Sequence, residues 1–267
     1  MSETIQGLWI GAELSVMEQL SLASFIANGH EYHLYVYDDV KNIPAGTVVK
    51  DAAGILPADS IFQYQQRPSY AGFANFFRYK LLLERGGWWA DADVICLQPF
   101  DFPEEFVFAT EISKGLEVLG SSVFKAPAGS DVMAHAWGVC QTKSPERLVW
   151  GETGPRLLDE AVRKFSLEKF AQPHHVFSPL GFWEWRRVLE PREFDGPGEF
   201  EGKAAPHNSP HEDTRAIHLW NEKWREAGQD KNAVYPENCL YEQFKRKYGC
   251  GNSVLLESKR GAEAGSL

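Results

Sequence analysis

Two aspartates one residue apart, Asp91 and Asp93, have the residue types and spacing that most directly suggest chemistry in this sequence. In an extended segment, residues two apart point to the same side of the chain. Carboxylates held side by side among apolar residues repel each other unless a cation lies between them. Carboxylate oxygens suit Mg²⁺ or Mn²⁺, and such a cation often bridges to substrate phosphates. Alone, this spacing more often marks an acidic turn at a strand edge than a metal site.

A predicted helix and a glycine pair precede the two aspartates. Apolar residues recur at helical spacing at four positions, Phe73, Phe76, Phe77 and Leu81. Gly86 and Gly87 can adopt left-handed backbone geometry and are therefore expected to end the helix. The chain is then predicted to run extended from Trp88 to Leu97, so that both carboxylates project from one strand.

The N-terminal segment predicts a strand–helix–strand unit. Residues 5–10 form an apolar strand, residues 15–18 have a capping-box pattern that opens a helix, and residues 33–37 form a second strand. This order implies a parallel sheet in an α/β fold, and ligands of such sheets collect at the carboxyl ends of the strands. Trp9, Ile10 and Gly11 lie at that end of the first strand, where Trp9 is either a ligand contact or a core residue.

Several positions around the aspartates match one known pattern: Asn75, Arg78, Tyr79, Gly86, Gly87, Trp89, Asp91 and Asp93. In this stretch the chain resembles the DXD segment of retaining glycosyltransferases with the GT-A fold, and most closely the glycosyltransferase 32 family. That family includes initiating mannosyltransferases, α-1,4-galactosyl- and N-acetylglucosaminyltransferases, and bacterial capsular or lipopolysaccharide sugar transferases. The sequence departs from the family pattern at Ala74, where a serine is usual, and at Trp89, where tyrosine is commoner.

The resemblance implies a metal-dependent, retaining transfer of a hexose or N-acetylhexosamine from a nucleotide-diphosphate sugar to a sugar hydroxyl. Asp93 would bind Mn²⁺ or Mg²⁺ directly, and Asp91 would bind the ribose and the metal. Arg78 would hold the diphosphate or the donor sugar, and Asn75 would hydrogen-bond the sugar hydroxyls. Because Asn75 cannot form a covalent adduct, the acceptor is expected to attack on the face from which the diphosphate leaves.

The resemblance also assigns roles to residues far from the aspartates. Trp9, Ile10 and Gly11 would surround the base and ribose of the donor. His218 would complete the metal site or contact the diphosphate, although a lone histidine on a strand is usually structural. The remaining predicted contacts are Asn221 and Trp224 on the donor side, and Thr153, Gly154 and Trp183 on the acceptor side.

Length and charge set further bounds. The 267 residues predict one GT-A-like domain over 1–257, with a donor half at about 1–110, an acceptor half at about 111–257 and a disordered tail at 258–267. A net charge of −10 argues against nucleic acid as a partner. We see no signal peptide and no long apolar run, which favours a cytoplasmic enzyme. Its acceptor would be a glycan or a lipid-linked sugar, and peripheral association with the inner face of a membrane stays open.

Two alternatives fit the aspartate pair. The residues Asp91 to Val94 also fit the nucleophile motif of haloacid-dehalogenase-type phosphatases, but that motif should follow the first strand of the fold. The second alternative is a catalytically silent carbohydrate-binding protein.

Overall fold

The computed structural model describes residues 4–191 and 212–251. Its main feature is a seven-stranded, mostly parallel sheet with the order β3-β2-β1-β4-β7-β6-β8, beside a two-stranded sheet of β5 and β9. The strands are β1 (Ile5–Trp9), β2 (Tyr32–Val36), β3 (Val48–Asp51), β4 (Gly87–Ala90), β5 (Val94–Cys96), β6 (Val107–Ser113), β7 (Leu116–Ala126), β8 (Ala171–Gln172) and β9 (Ala216–His218). The predicted α/β architecture is confirmed.

Helices cover both faces of the large sheet. They are α1 (Val16–Ala27), α2 (Ala71–Arg85), α3 (Asp131–Gln141), α4 (Leu157–Lys164), α5 (His174–Phe177), α6 (Asn221–Glu226) and α7 (Leu240–Tyr248). A π-helical turn, Glu152–Arg156, leads into α4, and a 3₁₀ segment, Phe182–Leu189, precedes β9. None of the helices in the described parts of the chain combines the length and the apolar character needed to cross a bilayer.

The predicted strand–helix–strand unit is confirmed. β1 pairs in parallel with β2 on one side and with β4 on the other. Helix α1 begins with the expected capping box, in which the Ser15 amide donates to a Glu18 carboxylate oxygen at 2.8 Å. The carboxyl ends of β1 and β4 therefore meet at one edge of the sheet, with Trp9 ending β1 and Asp91 following β4.

Helix α2 lies between the sheet and α3, so it is buried on most of its surface. Its aromatic residues pack into the larger core cluster, where Phe77 contacts the rings of Tyr35 and Trp89. Asn75 and Arg78 are buried on the same helix, with exposed fractions of 5% and 3%. Polar side chains at such depth require partners, which are Thr153 for Asn75 and, for Arg78, Asp91 and the carbonyls of Ser121 and Ala74.

The predicted single strand from 88 to 97 is wrong. β4 ends at Ala90, and a turn in which the Val94 amide donates to the Asp91 carbonyl at 3.1 Å separates it from β5. β5 leaves the large sheet and pairs antiparallel with β9, which places His218 opposite Val94. The two carboxylates are thus brought together by a turn rather than by the two-residue repeat of a strand.

Other predictions made from the sequence have mixed outcomes. The adjacent His174 and His175, which the sequence predicts on a strand and not as metal ligands, lie on the short helix α5. Residues 196–210 are rich in glycine, proline and charge, which predicts a surface loop. That loop and the disordered tail predicted at 258–267 lie outside the described residues. The division of the chain into donor and acceptor halves stays a prediction.

Gly86 ends α2 at a position that no other residue should tolerate. Its φ is +65°, and a Cβ there would lie 2.5 Å from the Ala128 amide nitrogen. We expect Gly86→Ala to lower the free energy of unfolding by more than about 2 kcal/mol, because both backbone strain and a backbone clash oppose it. Urea denaturation measures this loss.

Gly115 provides the matched control for Gly86. Its φ is +77°, but no atom lies within 4 Å of a Cβ built there. Gly115→Ala should therefore show only the strain of the left-handed backbone, about 1 kcal/mol. Equal losses in the two variants would show that the close approach of Ala128 does not matter.

Candidate active site

Three side chains capable of binding a metal converge at the carboxyl ends of β1 and β4. Asp91, Asp93 and His218 each offer one ligand atom, and these atoms lie within 4.8 Å of one another. Asp91 and Asp93 come from the turn after β4, whereas His218 is the last residue of β9. The pairing of β5 with β9 therefore builds the site from segments that are distant in sequence.

Asp91 is held through one of its two oxygens. Its Oδ1 accepts a hydrogen bond from Trp89 Nε1 at 2.8 Å and forms an ion pair with Arg78 Nη2 at 3.0 Å. Arg78 also donates to the carbonyls of Ser121 and Ala74 and lies over the Trp89 ring at 4.8 Å. Arg78 and Trp89 therefore fix the orientation of the Asp91 carboxylate.

Asp93 is also held through one oxygen. Its Oδ2 accepts a hydrogen bond from the Asn221 amide at 2.7 Å and lies 3.3 Å from His218 Nε2. Trp220 lies between His218 and Asn221 in the chain. It adopts a left-handed backbone with φ 60°, and its ring packs on His218 at 3.9 Å between centroids. The turn at Trp220 brings the Asn221 amide towards the carboxylate.

The remaining atoms of this cluster suit a divalent cation. Within the described residues, Asp91 Oδ2 and Asp93 Oδ1 have no hydrogen-bond partner. His218 Nδ1 is buried and also lacks one in that part of the chain. Each of the two carboxylates thus keeps an oxygen that no described protein group satisfies, and His218 presents its Nε2 to Asp93. Two carboxylate oxygens and one imidazole nitrogen are acceptable to Mn²⁺, whereas Mg²⁺ prefers oxygen ligands.

The electrostatics of the cluster place its two carboxyl groups in different states. Burial raises the pKa of Asp91 above its usual range, and Arg78 only partly offsets this rise. Burial acts in the same sense on Asp93, but His218 and the Asn221 amide outweigh it and hold the pKa of Asp93 below its usual range. Burial lowers the pKa of His218, but Asp93 and Asp91 reverse this and raise it. Asp93 and His218 therefore form the charged pair of the metal-free protein.

The cluster lies in a cleft of about 430 Å³ that most of the predicted donor-side residues reach. Its walls come from β1, α2, β4, β7, the segment before α4 and the segment after β9; they include Trp9, Asn75, Ser121, Trp150, Pro155 and Trp220. Ile10, Arg78 and Asn221 also line it. Trp9 is half-buried and donates from Nε1 to the Glu13 carbonyl at 3.1 Å, so its ring stands at the cleft edge in a fixed orientation.

Some predicted contacts lie elsewhere. Trp224 is fully buried, and its Nε1 donates to the Leu219 carbonyl at 2.9 Å, so it is a core residue rather than a donor contact. The tryptophan of this segment that lines the cleft is Trp220. Gly11, with φ +153°, lies just beyond the part of β1 that lines the cleft.

The predicted acceptor-side residues are also displaced from the cleft. Thr153 is fully buried and Gly154 is buried beside it. Asn75 Nδ2 donates to Thr153 Oγ1 at 3.4 Å, and Tyr79 donates to the Gly154 carbonyl at 3.1 Å. Thr153 and Gly154 therefore pack behind Asn75, away from the cleft. Trp183 is 49% exposed and packs against Phe182, outside the residues that line the cleft.

Sequence reasoning did not identify two charged groups near the cluster. Glu111, on β6, lines the cleft near Asp91 and His218. Lys231 forms an ion pair with Glu18 at 2.5 Å, lies 5.8 Å from the Trp9 ring and helps to lower the pKa of Asp93. Neither residue belongs to a local motif, so only the tertiary structure reveals them.

Glu111 should give the metal-free protein a specific pH dependence. Burial raises its pKa to about 7, with His218 opposing and Asp91 adding to the rise. The unfolded chain titrates near the ordinary value of about 4.3. The contribution of Glu111 to stability is therefore full below pH ~4.3 and is lost as the pH rises through about 7.

We expect wild type to lose about 1–2 kcal/mol of unfolding free energy relative to Glu111→Gln between pH 5 and pH 8, after allowance for solvent screening. Urea denaturation in the presence of a chelator measures both proteins at each pH. Glu105→Gln, at an exposed position, is the control and should follow the wild-type profile. Parallel profiles for wild type and Glu111→Gln would contradict the assignment.

Residues 16–110 match a family model described as the glycosyltransferase sugar-binding region containing DXD motif. The matched segment contains α2, Asp91 and Asp93 and covers about a third of the chain. This match supports a glycosyltransferase with a DXD motif. No curated protein matches the sequence.

Solved structures of other transferases are similar to the chain over part of its length. The PaToxG glycosyltransferase has a TM-score of 0.48 and 16% identity, over 62% of this chain and 70% of that one. A protein described as a transferase has a TM-score of 0.40 and 10% identity, over 63% and 89%. The apo-form glycosyltransferase GlyE of Streptococcus pneumoniae TIGR4 has a TM-score of 0.37 and 13% identity, over 65% and 46%.

Proposed function

We propose that this protein transfers a hexose or N-acetylhexosamine from a nucleotide-diphosphate sugar to a sugar hydroxyl, in a reaction that needs a divalent cation. One observation carries the proposal: Asp91, Asp93 and His218 converge in a cleft at the carboxyl ends of β1 and β4, and each of the two carboxylates keeps an oxygen that no described group satisfies. The family match over 16–110 supports glycosyl transfer as the chemistry.

Each residue of the cluster has a proposed part in donor binding. Asp91, Asp93 and His218 would hold Mn²⁺, which stabilises negative charge on a departing diphosphate. Arg78 keeps Asp91 in place. A guanidinium has five N–H donors, and three of those of Arg78 go to Asp91 and to the carbonyls of Ser121 and Ala74, so the others remain for a ligand. Asn75 lines the cleft beside these groups and would bind hydroxyls of the donor sugar.

The stereochemical outcome is part of the proposal and rests on the resemblance. Asn75 is an amide and cannot be a covalent nucleophile. We therefore infer that the acceptor attacks on the face from which the diphosphate leaves, and that the diphosphate takes the acceptor proton. A glycosyl adduct trapped on any carboxylate of the cleft, Glu111 included, would contradict this route.

The finer identity of the enzyme also rests on the family resemblance of the stretch that runs from Asn75 to Asp93. Membership of the glycosyltransferase 32 family, a glycan or lipid-linked acceptor and a cytoplasmic location belong to the same proposal. The phosphatase alternative is not favoured, because its nucleophile motif should follow the first strand of the fold, whereas Asp91 follows β4.

Thermal unfolding of wild type with a panel of uridine and guanosine diphosphate sugars, each with Mn²⁺ or with chelator, tests the proposal. A ligand that binds only the native state raises the melting temperature by mass action. We expect one donor to stabilise the protein only when Mn²⁺ is present, and the same donor to release its nucleoside diphosphate when an acceptor is supplied. No shift with any donor would remove the basis for the proposal.

A further inference from the structure

Glu111 is a carboxyl group in the cleft that neither the metal cluster nor the protein uses. It lies on β6, half-buried, and lines the same cavity as Asp91 and His218. It is not one of the three residues whose ligand atoms converge on the metal position. A half-buried carboxylate normally has compensating partners, because its desolvation costs free energy.

The other carboxylates of the cleft all have such partners. Asp91 and Asp93 are held as described, Glu18 pairs with Lys231 at 2.5 Å, and Glu222 pairs with Arg67 at 3.0 Å. Within residues 4–191 and 212–251, the side chain of Glu111 has neither a hydrogen bond nor an ion pair. Its oxygens are therefore available to a ligand in the cleft.

An irregularity in the sheet creates the space that Glu111 occupies. The register of the β6–β7 pair shifts between Phe108–Phe124 and Thr110–Leu119, so β7 carries extra residues opposite Ala109, two positions before Glu111. Gly120 is one of them, and a Cβ there would lie 2.9 Å from Glu111 Oε2. The glutamate thus lies against the bare backbone of Gly120, and Ser121 and Ser122 line the same cleft. Bulges of this kind commonly re-aim a side chain beside a functional site.

The strand order gives the position of Glu111 relative to the rest of the donor site. The sequence β1-β4-β7-β6 crosses the sheet, and neighbouring strands are about 4.8 Å apart. Trp9 ends β1, the aspartates follow β4, and Glu111 lies two strands beyond β4. A donor with its base near Trp9 and its diphosphate at the metal cluster would extend its sugar towards β7 and β6.

The negative charge and the acceptor oxygens of a carboxylate at this position determine which ligand groups it can bind. An anionic group would be repelled, because Asp91 and Asp93 are already nearby. Neutral vicinal hydroxyls suit it, since a carboxylate accepts two O–H hydrogen bonds. We propose that Glu111 binds hydroxyl groups of the transferred sugar and so helps to decide which nucleotide-sugar is used. This inference rests on the proposed function, because it places the sugar end of the donor.

Calorimetric titration and steady-state kinetics of Glu111→Gln and Glu111→Ala provide the test. The probes that lack the sugar are UDP and GDP, each with Mn²⁺. The intact donor is the UDP-hexose or GDP-mannose that wild type uses. We expect affinity for the nucleoside diphosphate to change less than about twofold. The kcat/KM for the intact donor should fall about 10- to 100-fold, as for lost hydrogen bonds to a charged group.

Deoxy analogues of the donor sharpen the test. Removing the contacted hydroxyl should cost wild type about as much as Glu111→Ala does, and should cost the Glu111→Ala variant almost nothing more. Gly120→Ala is a second variant, because it displaces the carboxylate without removing it and should weaken the intact donor alone. Glu105→Gln is the exposed control.

The outcomes separate this inference from the proposed function. If wild type uses a donor and the Glu111 variants use it equally well, the inference is overturned and the function stands. If the variants lose nucleoside diphosphate and intact donor to the same extent, Glu111 does not act on the sugar and the inference is again overturned. If wild type binds no nucleotide-sugar, both fall together.

Discussion

Glycosyl transfer by Asp93→Asn is expected to fall at least about 100-fold below that of wild type, because the substitution removes the charge of a proposed metal ligand while keeping the side-chain shape. Affinity for Mn²⁺ should fall in parallel, since an amide oxygen is a weaker ligand than a carboxylate. The Asn221 amide can still donate to an asparagine oxygen, so the turn at 220–221 should persist. Donor turnover and Mn²⁺ titration of the purified variant measure the two effects.

The loss at Asp93 has a second component. Asp93 Oδ2 lies 3.3 Å from His218 Nε2, and Asp93 is the main group that raises the pKa of His218. In Asp93→Asn the histidine should become neutral at lower pH, which can be followed by NMR titration of its ring. Asp59→Asn, at an exposed position outside the cleft, is the matched control. Wild-type turnover and Mn²⁺ affinity in Asp93→Asn would contradict the assigned metal site.

Local sequence signals predicted the elements that carry the aspartates. The helical spacing of Phe73, Phe76 and Phe77 predicted α2, and Gly86 ends it with φ +65° as expected for a residue without a side chain. The capping box at Ser15 predicted the start of α1. These signals act within a few residues, so they can be read without knowing the tertiary structure.

The geometry of the aspartate pair was predicted for the wrong reason. The two-residue repeat of a strand would put Asp91 and Asp93 on one side, and the structure instead uses a turn between β4 and β5. β5 then pairs with β9, more than a hundred residues later in the chain. No local pattern specifies that pairing, and so the closeness of His218 to Asp93 could be expected only from resemblance.

The family resemblance also did not distinguish the roles of Trp220 and Trp224. Both follow His218 closely, and the sequence alone does not tell which ring faces the cleft. The left-handed backbone at Trp220 decides it, because it turns the chain into α6 and places Trp224 in the core with Trp185 and Tyr241. Glu111 was missed for a related reason: its position depends on a bulge in β7 that has no local sequence signal.

Arg78→Ala is expected to be the most destabilising substitution in the site. It removes the ion pair to Asp91, the hydrogen bonds to the carbonyls of Ser121 and Ala74, and the contact with the Trp89 ring. Breaking a buried pair costs about 3–5 kcal/mol, and we expect about 2–3 kcal/mol here because the Asp91 side chain is 28% exposed. Urea denaturation in chelator measures the loss.

Surface and conservative substitutions give the controls for Arg78. Arg163 pairs with Asp159 at 2.8 Å, but its side chain is 65% exposed, so Arg163→Ala should cost far less stability than Arg78→Ala. Arg78→Lys keeps the charge but cannot make the same set of directed bonds, and we expect it to recover only part of the stability. A loss for Arg78→Ala no larger than that for Arg163→Ala would show that Arg78 does not hold Asp91.

Arg78→Ala should also change how the protein binds Mn²⁺. Arg78 lowers the pKa of Asp91, which burial otherwise raises, so its removal should keep Asp91 protonated to higher pH. A metal binds the deprotonated carboxylate, and therefore the pH at which Mn²⁺ affinity is half-maximal should rise in the variant. Mn²⁺ titrations between pH 5 and pH 9 measure this shift. Since a residue that only filled space would alter stability without moving the pH profile, the shift separates an electrostatic role for Arg78 from a packing one.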